Sequence, residues 1–213
     1  MRTTRLMVIA LAALTLGLSC ASSPKQAPSA TSGASSVAKS EASILDSIPE
    51  REGAPRTLVV YYSQGSATRR VAEDLALILK ADLERIAEKR QRSTGFFGFM
   101  NAGYQATFGI PSAIEKPVRD PADYQLVLVL SPVWSWSLSP PVRAYLRLMK
   151  GRLAAAGFVS VSGDTRPERI AAAMAKESGA AALAIEGFSQ KDFLPENREV
   201  YVGKIAGFVE RLR

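Results

Sequence analysis

The sequence has no histidine and only one cysteine. Without histidine there is no Ser-His-Asp triad, no imidazole metal site and no histidine proton relay. A lone cysteine excludes a disulfide framework and a Cys-x-x-Cys redox motif. No Gly-x-Gly-x-x-Gly opens a helix after an apolar strand, so the usual dinucleotide fingerprint is missing. Hydrolase chemistry is poorly served, because no base is placed to serve Ser63 or Ser160. Usual nucleophiles and soft metal ligands are therefore lacking, and no metal is expected. Any chemistry has to come from a bound cofactor.

Lysine and arginine number 27 against 20 acidic residues, a net charge of +7. These charges are interspersed along the chain, and nucleic-acid binding is not expected. The two ends differ in character. Arg2 and Arg5 form a basic start, followed by an apolar run from Leu6 to Leu18 that is too short to cross a bilayer as a helix. It ends in Leu16-Gly17-Leu18-Ser19-Cys20-Ala21, which resembles the lipobox of bacterial lipoproteins. That resemblance implies cleavage before Cys20 and lipidation of its thiol. The other reading is an ordinary secretory signal with a chance cysteine beside it. Ala21 stands where an aspartate would signal inner-membrane retention, so the resemblance favours a lipid-anchored protein of the outer membrane, facing the periplasm. Arg2 and Arg5 are not adjacent, which implies export as an unfolded chain and loading of any cofactor afterwards.

From Ala21 to Glu52 the chain is rich in Ser, Ala and Pro and nearly free of large apolar residues. Such a segment cannot bury enough surface to order itself, and as a flexible tether it reaches on the order of 30 Å. A short helix over Ala38–Leu45 is the alternative for part of it. The expected organisation is a signal over residues 1–19, a lipidated cysteine and tether over 20–53, and one domain over 54–213. That domain keeps 22 basic and 16 acidic residues. A mildly basic domain suits anionic lipid or acidic partners.

Within the domain, apolar runs alternate with helical patterns. Thr57–Tyr62, Tyr124–Ser131, Ala154–Ser162 and Ala180–Ile185 read as buried strands, and Asp82–Ala87 as an edge strand. Helices are expected over Thr68–Lys80, Pro141–Lys150, Arg166–Ser178 and Val200–Leu212. Five strands alternating with helices predict an α/β fold: a doubly wound five-stranded parallel sheet with helices on both faces. The short first crossover and the late closing helix favour strand order 2-1-3-4-5. Its ligand crevice lies at the carboxyl ends of the first and third strands.

Two segments converge there. Ser63, Gln64, Gly65, Ser66, Ala67 and Thr68 form a hydroxyl-rich turn with no carboxylate before Glu73. A phosphate monoester needs such donors at a helix N-terminus. The plain alternative is a strand-to-helix turn with Ser66 or Thr68 as N-cap. Pro132, Val133, Trp134, Ser135 and Trp136 carry the domain's two tryptophans, suited to stacking on a flat ring or else to core and interface packing. Ser162, Gly163 and Asp164 form a third turn, with Asp164 as a helix N-cap or as a carboxylate near the ligand. Between the second and third strands, Thr94–Phe108 is too long and aromatic for an ordinary connection. Cofactor lid, oligomer contact and plain core all remain open for it.

These residues resemble the flavodoxin-like oxidoreductases. Tyr61-Tyr62-Ser63, Thr68 and Val71-Ala72 are similar to the phosphate loop of flavodoxins. Pro132-Val133-Trp134 and Pro140-Pro141-Val142-Arg143-Ala144-Tyr145-Leu146 are similar to the second flavin loop and its helix. Phe158 to Asp164 stands where the third loop falls. The resemblance implies FMN held non-covalently, with Trp134 against the ring and Trp136 at the rim. It implies electron transfer or flavin-dependent reduction outside the cytoplasm, with a quinone or a redox protein as partner, because NAD(P)H is scarce there. The chain departs from the family pattern at Gly65 and Ser66, where glycine and hydroxyl residue are exchanged. That departure, with unfolded export, supports the alternative: a flavodoxin-like binding or interaction module that has lost the cofactor. Whether the protein is an enzyme, and its oligomeric state, are left open by the sequence.

Overall fold

A computed structural model describes residues 56–90 and 96–213; the expected signal, Cys20 and tether lie outside the described residues, as do Thr94 and Gly95. The first strand, β1 (Thr57–Tyr61), is buried at all five positions, as a central parallel strand covered on both faces requires. Helix α1 (Ala67–Leu79) follows, turning Val71, Ala72, Leu75 and Leu79 inward. It ends on Lys80, whose left-handed φ of 49° lets its amide reach back to the carbonyls of Ala76 and Leu77. Strand β2 (Asp82–Arg85) pairs with β1 in parallel at the sheet edge.

The remaining elements are α2 (Phe96–Thr107), β3 (Leu126–Trp134), β4 (Ser137–Leu138), α3 (Pro140–Leu148), β5 (Ala156–Ser162), α4 (Pro167–Ser178), β6 (Ala182–Ser189) and α5 (Arg198–Arg211). The sheet order is β2-β1-β3-β5-β6, with β4 antiparallel to the end of β3. The five parallel strands thus take order 2-1-3-4-5, the doubly wound flavodoxin-like arrangement predicted from the sequence.

Period-two alternation along the strands feeds two cores. Val59, Tyr61, Leu128 and Leu130 meet Leu75 of α1 and Ile205, Phe208 and Val209 of α5. Leu58, Val60, Val127 and Val129 meet Val142, Tyr145 and Leu146 of α3 and Ile170 and Met174 of α4. Each large side chain taken fully out of water contributes about 1.5–3 kcal/mol.

Two strands outrun the sequence expectation. β3 was expected to end at Ser131 but continues to Trp134, because Val133 and Trp134 pair with Leu138 and Ser137 of β4. β6 was expected to stop at Ile185 but runs to Ser189, because Glu186 to Ser189 keep pairing with Val159 to Ser162 of β5. The aromatic insertion is a helix, α2, on a closed loop. Its neck is shut by a bridge between Glu88 and Ile114, with the Lys89 amide donating to the Ala113 carbonyl at 3.0 Å. Beyond the neck, the buried carboxylate of Glu84 accepts from the amides of Val118 (2.7 Å) and Arg119 (2.9 Å), pinning the return segment beside edge strand β2.

A buried ion pair ties α3 to α4. Glu177 accepts from Arg143 and from Nε of Arg147 at 2.7 Å. Burial pushes the Glu177 carboxyl up, but the hydrogen bonds and charges of Arg147 and Arg143 outweigh it and hold it below its ordinary value. Its folded value being the lower one, the stabilisation is complete above the unfolded carboxylate range of roughly 4.3 and is lost as pH falls through the folded value. Glu177→Gln should therefore flatten the acid side of the stability profile, checked by urea unfolding at stepped pH.

Gly157 sits where β5 crosses under α5. A Cβ there would lie 2.6 Å from Leu128 Cδ2, 3.0 Å from Leu212 Cδ2 and 3.1 Å from Phe208 Cζ. All three neighbours are buried, so none can yield freely. Gly157→Ala should cost roughly 1–3 kcal/mol of stability, measured by urea unfolding.

Candidate functional site

In an open parallel sheet every strand points its carboxyl end at the same edge, and the crevice forms where the chain direction splits. Here β1, β3 and β5 are consecutive neighbours, so the three turns predicted from the sequence fall side by side. The first and second are in contact: Tyr62 and Trp134 meet edge to face, ring centroids 5.7 Å apart and planes at 80°. The second and third are joined by register, Pro132 lying opposite Val161.

The first turn, Ser63 to Ser66, links β1 to α1. Ser63 is buried and its hydroxyl donates to the Gly65 carbonyl at 2.7 Å, closing the turn internally. Gln64, Gly65 and Ser66 are exposed. Ser66 occupies the N-cap position, yet its side chain makes no capping hydrogen bond, and the first turn of α1 contains no acidic residue. The first amides of a helix have no intrahelical acceptor, so this end is electropositive and is left uncapped by its own Ser66 side chain. Thr68 is the second residue of α1 and is buried.

Gly65 is not among the positive-φ glycines and a Cβ there would meet nothing within 4 Å, so the turn does not depend on glycine at that position. The turn is closed by the Ser63 hydroxyl instead. Asp164 was read as a helix N-cap or as a carboxylate near the ligand; the first role is excluded, because the N-cap is Arg166, with Pro167 at N1. Asp164 is exposed in a turn that Ser162 organises, its hydroxyl accepting from the Thr165 amide at 3.1 Å and donating to the Thr165 carbonyl at 3.2 Å.

The second turn is a two-residue hairpin. Trp134 and Ser137 pair, and between them Ser135 and Trp136 hold φ of 47° and 56°. Left-handed backbone at a non-glycine residue costs roughly 1–2 kcal/mol. Helix α2 lies close to the hairpin: a Cβ on Gly103 would stand 2.8 Å from the Ser135 hydroxyl, so a larger residue there would require that hydroxyl to turn away. The two indoles differ. Trp134 is half-buried and packs against the second core beside Tyr62. Trp136 projects from the tip with 64% of its surface exposed.

Sequence reasoning missed two contributors. Arg85, the last residue of β2, lies opposite Tyr61 in register and its guanidinium donates to the Ser63 carbonyl at 3.3 Å. A cation thus stands over the turn, brought there by strand pairing that a linear pattern does not reveal. Arg69 and Arg70 instead lie along α1 towards Glu73 and Asp74, at 3.7 and 4.0 Å. The second contributor is Tyr62, whose hydroxyl donates to Glu88 at 2.7 Å while its ring abuts Trp134.

No protein-family model matches this sequence, and no curated protein matches it. Solved structures do match the fold. A flavoprotein from Lactobacillus acidophilus NCFM, in complex with FMN, is 20% identical, with 65% of this chain and 96% of that chain covered at a TM-score of 0.56. A candidate flavoprotein from Bacteroides eggerthii DSM 20697 is 18% identical over 71% of this chain and 98% of that one, with a TM-score of 0.55. One from Bacteroides uniformis ATCC 8492 is 14% identical over 68% and 97%, at 0.51. These likenesses define the class of fold, a flavodoxin-like doubly wound sheet.

The uncapped helix end makes a sharp test possible. Ser66→Asp places a carboxylate where a cap is favoured, so stability should hold or rise in thermal unfolding. The same carboxylate should weaken binding of a phosphorylated ligand by roughly tenfold or more, read by titration with FMN.

Proposed function

We propose that this protein binds FMN non-covalently and uses it in electron transfer or flavin-dependent reduction. The observation that carries this reading is the α1 N-terminus: no acidic residue, no side-chain cap, and Arg85 alongside. That is the donor set a phosphate dianion needs. The L. acidophilus structure, a flavoprotein in complex with FMN on the same fold, supports it.

The first amides of α1, with Ser66, Thr68 and Arg85, would hold the phosphate. Trp136, whose indole is exposed at the tip of the second turn, would cover the ring and exclude water from one face. The resemblance sets Trp134 against the ring and Trp136 at the rim; Trp136 is the more exposed indole, while Trp134 keeps an edge-on contact with Tyr62. Ser162, Gly163 and Asp164 would border the ring from the third turn. Bound there, FMN would supply reversible reduction. The chain's own residues bind, orient and shield it.

The N-terminal segment supports a membrane-tethered protein, lipidated at Cys20 and facing the periplasm. In that compartment a quinone or a redox protein is the fitting electron partner.

Purified protein mixed with FMN should emerge from gel filtration yellow, with its flavin fluorescence quenched. Colourless protein and unquenched FMN would defeat the proposal. Trp136→Ala should lose about 1–3 kcal/mol of FMN affinity at unchanged stability, the range for removing one stacking partner. Trp134→Ala should lower the melting temperature, because Tyr62 loses its edge-on neighbour. Equal FMN affinity in the Trp136 variant and the parent would refute the role given to that indole.

A further inference from the structure

Helix α2 has two unlike faces. Ala102 and Ala106 are buried, and Gly103 lies against the Ser135 hydroxyl, so the small residues face β3, β4 and α3. Turned outward are Met100, Tyr104 and Phe108, with 54%, 57% and 66% of their surface exposed. They recur every fourth residue, and the rings of Tyr104 and Phe108 touch at a centroid distance of 4.6 Å. Ile110 continues the stripe. No residue from Phe96 to Ile114 is charged. A surface helix of a water-facing domain ordinarily places charge on its outer side.

We infer that this outer face of α2 seats on the anionic surface of a lipid bilayer. The surroundings fit that occupant. At the neck of the loop Lys89, Arg90 and Lys116 are exposed, and the whole domain from Ala54 carries 22 basic against 16 acidic residues. Apolar contact plus attraction to anionic headgroups is how an interfacial helix binds. Tyr104 has an amphipathic ring suited to the headgroup level. Thirty-five residues separate Cys20 from Arg56. A bilayer that holds a lipid on Cys20 keeps the domain within a tether's length, on the order of 30 Å, of the surface α2 would meet.

The test uses the full chain. In a Cys20→Ser, Thr107→Cys variant the sole cysteine lies on the outward side of α2, and an environment-sensitive NBD label goes there. A second chain, Cys20→Ser with Leu183→Cys, carries the label on exposed Leu183 of β6, at the far edge of the sheet. Vesicles of mixed phosphatidylcholine and phosphatidylglycerol should shift the emission at position 107 to the blue and raise it severalfold, with no change at position 183. Adding Met100→Glu and Phe108→Glu to the first chain should abolish the shift. An unchanged spectrum at position 107, or the same shift at position 183, overturns the inference. So does a shift that needs no vesicles and grows with protein concentration, which would assign the face to a second copy of the chain.

Discussion

Strand direction is the constraint on which this structure depends. Because β1, β3 and β5 run parallel as neighbours, three turns separated by about a hundred residues of chain end on one edge. No long-range side-chain contact has to be invented to gather them. The parallel arrangement demands cover on both faces, and the two apolar clusters supply it. Stability and site therefore share one origin: the helices that bury the sheet also present their N-termini at its carboxyl edge.

What the sequence made legible follows from this. Continuous apolar strands such as Thr57–Tyr61 and Leu126–Leu130 announce themselves, because burial on both faces leaves no polar alternation to confuse with a helix. The order of the five parallel strands could be inferred from connection lengths. Features set by a few φ angles or by strand pairing were not legible. The Ser135–Trp136 hairpin has none of the Asn-Gly signal that normally marks such a turn, although both residues take left-handed backbone. Arg85 reads as an ordinary edge-strand charge until pairing with Tyr61 brings it over the Ser63 carbonyl. Asp164 looked like a cap because aspartate before a helix often is one; Arg166 and Pro167 start that helix instead.

The site shows a division between closed and open parts. Ser63, Ser162 and Tyr62 spend their hydroxyls on neighbouring protein atoms, fixing the three turns before any ligand arrives. The amides at the start of α1 and the indole of Trp136 are left facing outward. Pre-formed turns with a few unspent groups are what a binding site needs if ligand entry is not to reorganise the backbone.

Gly103 carries a consequence that reaches across the chain. Its missing side chain gives room to a hydroxyl thirty-two positions later, at the tip of a turn whose backbone is under strain. Related sequences should therefore change at these two places in concert: a bulkier residue in the helix would require a smaller or reoriented partner in the hairpin. Covariation between positions 103 and 135 would record the coupling of the aromatic insertion to the crevice, and its loss would mark lineages in which the two have parted.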